Sequence, residues 1–243
     1  MLALLIAVSA MLQGTSALAD ETEYTQTICP LERNGTALYL SQTVLSGTQP
    51  RKQILLVHGV TYSSHEFDID YQDYSLVRLL ARNGYGVWQL DIAGFGRSGD
   101  VEDGFMVDSD YAADDFQRGP DGSFDASVTD PAVLEWFCSG CWHYDGESSP
   151  NGGRRDLCVD ASNLLIDLTR ISMPTLVICG DQDPYLNYDL VNRCLDDLPE
   201  GSALEMIPGG SHVVFLEKPW YHDFQERLLR FLQDEISVND MAA

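Results

Sequence analysis

Two strand–helix–strand units, one near each end of the chain, most constrain what it can fold into. In the first, Gln53–His58 and Tyr85–Ile92 are rich in β-forming residues, and Tyr74–Arg82 between them places Leu76, Leu79 and Leu80 on one helical face. In the second, Thr175–Cys179 and Ala203–Ile207 flank a helix over about Leu186–Leu198. A strand, a crossover helix and a second strand at this spacing make a βαβ unit, which implies a parallel sheet with helices on its faces. Ala37–Leu45 adds a strand ahead of the first unit. Trp220–Ile236 closes the chain as an amphipathic helix with Phe224, Leu228, Phe231 and Leu232 on one stripe.

The middle breaks this rhythm. Asp100–Arg155 is rich in Asp, Gly, Ser and Pro, and holds no apolar run fit for a central parallel strand. Tyr111–Phe116, Pro131–Phe137 and Leu157–Ile171 are expected as short helices. The stretch from about residue 101 to 170 has the composition of a lid or cap rather than of a sheet core. The fold class expected is therefore α/β, a parallel sheet with flanking helices and a lid, in one domain over residues 20–243.

Residues 1–19 resemble a secretory leader. Leu2–Leu12 is apolar but too short to span a bilayer comfortably, and Ala17-Leu18-Ala19 is a small-x-small cleavage site. The absence of Lys and Arg ahead of the apolar run is atypical, and a membrane anchor or a misassigned start is the alternative. A secreted or periplasmic protein is expected, with no membrane span after cleavage. The net charge of −24, spread along the chain, repels phosphate backbones and argues against a nucleic-acid partner. Export would permit disulfides among the six cysteines. Cys138-Ser139-Gly140-Cys141 lacks the setting of a redox motif. A metal set of Cys138, Cys141, His143 and Cys158 is loosely spaced, so no metal is expected, and a structural disulfide involving Cys158 is the preferred reading. Asn34-Gly35-Thr36 fits a glycosylation sequon.

Four motifs carry the chemistry: VHGVTYSSHEFD (Val57–Asp68), DIAGFGRSGD (Asp91–Asp100), PTLVICGDQDPY (Pro174–Tyr185) and GGSHVVFLEKP (Gly209–Pro219). In this order and at strand ends, they resemble the α/β-hydrolase superfamily, in the manner of a secreted serine hydrolase. The resemblance implies an oxyanion-hole N–H at Val60, an acid at Asp183 with Asp181 the weaker choice, and a general base at His212. It makes His58 structural and the Asp91–Asp100 loop architectural, Ser98 included. It further implies hydrolysis of a small-molecule ester or amide by acyl transfer, with no cofactor. Substrate identity and oligomeric state are not implied.

The nucleophile is unknown. No serine of the chain has glycine at both −2 and +2, so the G-x-S-x-G elbow is absent. Ser139 and Ser148 are the nearest imitations, and neither follows an apolar strand. The elbow, its strand and the flanking helices would occupy about 60–80 residues, and their excision, in the gene or in its reading, is the expectation. Thr175–Cys179 would then close against Gln53–His58 and bring Asp183 and His212 towards Val60. Activity of such a chain is expected to be impaired. A non-catalytic binder of an apolar ligand, or a truncated product, is the alternative.

Overall fold

A computed structural model describes residues 16–17, 23–50, 52–59, 61–100, 116–146 and 168–240. The chain divides into two compact units: Leu2–Ala113 with Ala132–Arg155, and Asp114–Pro131 with Asp156–Ala243.

The N-terminal unit is built on a five-stranded sheet of order β1-β2-β5-β7-β6. Its strands are β1 (Ser16–Ala17), β2 (Tyr24–Ile28), β5 (Leu40–Leu45), β6 (Lys52–Val57) and β7 (Tyr85–Leu90). The strands β3 (Leu31–Arg33) and β4 (Thr36–Leu38) form a separate hairpin. β6 and β7 are parallel, in a register that sets Ile54 against Val87 and Val57 against Leu90, while β5 runs antiparallel to β7. The first βαβ unit is thus present, with helix α1 (Leu76–Arg82) as its crossover. Ser75 caps α1 by accepting from Arg78 N–H at 3.0 Å, and its hydroxyl donates to Asp68 at 2.6 Å. The apolar face of α1 buries Leu76, Val77 and Leu80, and Val87 lies in the same core. The expected strand Ala37–Leu45 is interrupted at Tyr39, whose N–H leaves the ladder to donate to Ser98 Oγ at 2.8 Å.

Helix α2 (Pro131–Asp145) runs about two turns beyond the short helix expected from the sequence. It buries Val133, Phe137 and Cys141 on one side. Gly140 lets it approach closely: a Cβ there would stand 2.6 Å from the His65 ring.

The C-terminal unit holds the parallel pair β8 (Leu176–Gly180) and β9 (Ala203–Ile207), joined through helix α3 (Tyr188–Asp196). Asn187 caps α3 by accepting from Leu190 N–H at 3.0 Å. Helix α4 (Tyr221–Asp240) buries Tyr221, Gln225 and Leu228, one residue per turn. Arg227 fastens α4 to the sheet, bonding Asp223 at 2.9 Å and Glu205 of β9 at 2.6 Å. The 176–180 strand, expected against Gln53–His58, finds its described partner in β9, in a parallel sheet of two. The expected helices at 111–116 and 157–171 lie largely outside the described residues, as does most of the lid-like stretch.

Candidate active site

The loops that follow β8 and β9 are held together by backbone before any side chain takes part. A Cβ on Gly180 would overlap the Gly210 carbonyl, so only glycine allows the two loops to touch. Gln182 N–H donates to Gly210 O at 2.9 Å, and Asp181 N–H to Ile207 O at 3.2 Å. Asp181 completes the staple by accepting from Gly209 N–H at 2.7 Å. This separates the two acids that the sequence offered, because the Asp181 carboxylate serves the backbone of the neighbouring loop.

Asp183 meets the histidine. Its Oδ2 accepts from His212 Nδ1 at 2.9 Å, and its Oδ1 accepts from Tyr185 N–H at 2.8 Å, an Asx turn that locks the rotamer. The two side chains are 8% and 10% exposed. A carboxylate only accepts, so Nδ1 carries a proton, and in the neutral ring the lone pair then falls on Nε2, the tautomer of a general base. Burial pushes the Asp183 carboxyl up, but the His212 and Tyr185 bonds outweigh it, and its pKa lies below the ordinary 3.8. The Tyr185 ring stands edge-on to the imidazole at 4.8 Å and limits its rotation. Asp183 and His212 are thus brought together. Val60 lies outside the described residues.

In the N-terminal unit, His58 is engaged on both nitrogens. Nε2 accepts from Ile92 N–H at 2.9 Å and Nδ1 donates to Gly59 O at 2.7 Å. Burial lowers its pKa, so it is a neutral strut. Ser98 Oγ donates to Asp91 O at 2.6 Å and accepts from Tyr39 N–H, so its hydroxyl ties the loop to the sheet. Asp91 is the hub of this region. It holds Ser64 N–H and Arg97 N–H at 2.9 Å each, and Arg97 Nε at 2.9 Å.

A second buried cluster forms where α2 docks. Asp145 Oδ2 accepts from Ser63 N–H at 2.9 Å and Ser63 Oγ at 3.0 Å, and Oδ1 accepts from Gly96 N–H at 3.1 Å. His65 Nδ1 lies 3.3 Å from the same carboxylate, and Cys141 Sγ lies 3.5 Å from His65 Nε2. Burial pushes the Asp145 carboxyl up to about 6, with Asp91 adding to it. Burial likewise pushes His65 down to about 4, with Arg97 adding to it. Both groups are therefore neutral together near pH 5. Between pH 4 and 6 the folded chain holds a proton on Asp145 that the unfolded chain lacks, and lacks one on His65 that the unfolded chain carries. The two contributions to stability have opposite slopes and nearly cancel. Asp145→Asn is expected to unmask His65, so that stability falls as the pH drops from 6.5 towards 4, by about 1 kcal/mol per pH unit. His65→Gln is expected to do the reverse, with stability falling as the pH rises from 4 to 6. Urea melts across this range check both, and equal slopes in all three proteins would refute the compensation.

Cys138 and Cys141 sit one turn apart on α2, and Ser139 lies between them on the helix rather than on an elbow. Among the described residues, Cys29, Cys138, Cys179 and Cys194 are free thiols, and Cys141 Sγ keeps its contact with His65. Cys158 and Ser148 lie outside the described residues. Among the described residues no group of three or more His, Cys, Asp or Glu is placed to hold a metal ion. The residues that sequence reasoning passed over are Asp145, His65, Gln117 and Glu217. Their chemistry depends on contacts between segments 80 to 100 residues apart, and no local pattern marks them.

No protein-family model matches the chain. It is 29% identical over 201 residues to "Putative protein-lysine deacylase ABHD14B" of Rattus norvegicus, covering 78% of this chain and 87% of that one. To the Homo sapiens protein of the same name it is 26% identical over 215 residues, covering 84% and 93%. Among solved structures, the monoacylglycerol lipase of Paleococcus ferrophilus superposes with a TM-score of 0.55 at 16% identity, covering 82% of this chain and 99% of that one. With the βαβ units and the strand-end loops described above, these likenesses give the chain the α/β-hydrolase fold and support its membership of that superfamily.

Proposed function

We propose that this protein derives from hydrolases that cleave small-molecule esters or amides by acyl transfer, and that it keeps their acid–base pair while its own turnover is impaired. The observation that carries the reading is the 2.9 Å bond from His212 Nδ1 to Asp183 Oδ2, which fixes Nδ1 as the donor and leaves Nε2 for the role of base. In this reading His212 is the general base, Asp183 orients it, and Val60 supplies an oxyanion-hole N–H. The deacylase name of the mammalian relatives favours an acyl-amide among the possible substrates. Impairment follows from the absence of a G-x-S-x-G elbow. Without a nucleophile, the residual rate of such a site is on the order of 10³–10⁴-fold over water where binding and the oxyanion hole survive. A match that takes in 84% of this chain and 93% of the human relative does not favour a one-sided excision of about 60–80 residues. It favours a central segment that has diverged in place. Among the described residues no helix is long and apolar enough to cross a membrane. The leader-like residues 1–19 support export to the exterior or the periplasm.

The test is fluorophosphonate labelling of the folded protein followed by peptide mass spectrometry. No stoichiometric serine label is expected. Label on a single serine, abolished by His212→Ala, would reveal a working nucleophile and overturn the impairment. Saturable binding of an apolar ligand without turnover would instead point to the non-catalytic descendant.

A further inference from the structure

We propose that Glu217, held by Gln117, is the positioning residue for His212, an inference that rests on the acid–base reading of the Asp183–His212 pair. Glu217 is fully buried at 0% exposure. Its carboxylate accepts from Ser211 N–H at 2.8 Å, Ser211 Oγ at 2.6 Å and Gln117 Nε2 at 3.0 Å. All three partners donate, and only an acceptor-only group satisfies them together. An anion so deeply buried is costly unless such bonds offset its desolvation, so the geometry around it is narrowly constrained.

What it constrains is the residue directly before His212. Gln117 Nε2 also donates to Gly209 O at 3.0 Å, so one amide grips the near end of the loop and the carboxylate that grips its far end. Glu217 is itself anchored at the head of α4, where its carbonyl accepts from Trp220 N–H at 3.0 Å and Tyr221 N–H at 2.9 Å. The segment carrying Gln117 docks a second time, through Lys218 N–H to Val128 O at 2.8 Å. Residues 116–129, expected from composition to belong to a lid, therefore act in this unit as a fixed strap across the histidine loop. Gln117 and Glu217 thus hold Gly209 and Ser211, and the Asp183 bond holds the His212 that follows.

The test is proton NMR of the full-length chain, reading the low-field Nδ1–H resonance of His212 that a bond to a carboxylate produces. It is assigned by its loss in Asp183→Asn. Glu217→Gln keeps the size of the side chain but turns an N–H towards the Ser211 donors. Its expected result is loss of the low-field resonance in a protein whose near-UV circular dichroism remains native. Gln117→Ala leaves the Ser211 bonds intact but removes the bonds to Gly209 O and Glu217, and is expected to speed exchange of that proton with water about tenfold or more. An unchanged resonance in folded Glu217→Gln overturns the proposal. If that variant does not fold, wild-type exchange in Gln117→Ala overturns it. A wild-type protein without the resonance would instead refute the acid–base pair itself.

Discussion

Gly180→Ala is expected to destabilise the C-terminal unit by about 3 kcal/mol or more and to break the Asp183–His212 contact. The added Cβ overlaps the Gly210 carbonyl, which is backbone and cannot swing aside as a side chain would. Overpacking alone costs about 1–3 kcal/mol. Moving the loops apart would also strain the Gln182 N–H to Gly210 O bond and the Asp181 bond to Gly209, each worth about 1 kcal/mol. Gly99→Ala is the control, because its Cβ would meet the Thr36 side chain at 3.3 Å and Ala37 O at 3.4 Å, contacts that small shifts relieve. Urea unfolding at constant m-value measures both. A Gly180→Ala midpoint no lower than that of the control would show that the loops do not need their close approach.

Asp91→Ala is expected to cost the N-terminal unit about 3–5 kcal/mol, the usual penalty for breaking a buried pair by removing one partner. Asp91 is 0% exposed, and its loss would strand two backbone N–H groups and the Arg97 guanidinium that lies over the Tyr39 ring at 3.6 Å. Burial pushes the Asp91 carboxyl up, but its bonds to Arg97 and Ser64 outweigh that, and the pKa lies below 3.8. A carboxyl depressed on folding contributes stability that is present above 3.8 and lost as the pH falls through the folded value. Asp91→Asn should therefore be less stable than wild type near neutrality, and the gap should narrow on acidification below that value. A gap that is constant down to pH 2–3 would refute the charge-based account of this hub, since the buried carboxylate would then contribute only its shape.

The strand–helix–strand units were legible because their apolar periodicity is local. β6, α1 and β7 fall within a few residues of where Gln53–Ile92 places them, and β8, α3 and β9 do the same for the second unit. Boundaries moved where side chains from elsewhere intervened. The strand expected over Ala37–Leu45 breaks at Tyr39 because Ser98, far along the chain, takes its N–H. Helix α2 continues past Phe137 because Cys141 and Asp145 bury against the Ser63–His65 turn, a long-range contact with no trace in the helix's own composition. The middle was legible only as an interruption.

For the candidate site, the residue types and their order already distinguished an acid-before-base pair at two successive strand ends. Asp181 and Asp183 remained alternatives in the sequence, two residues apart. Which of them faces His212 follows from the crossing of the two loops at Gly180 and Gly210, a backbone contact that turns one carboxylate to Gly209 and leaves the other for the imidazole. Glu217 lay in plain view within GGSHVVFLEKP, yet its burial and its grip on Ser211 require Gln117, 100 residues earlier in the chain. Local periodicity and motif order specify elements and residue types because they act over a few bonds. Hydrogen-bond partners of buried charges come from segments distant in sequence, and they are chosen only when packing excludes water and every donor must find an acceptor.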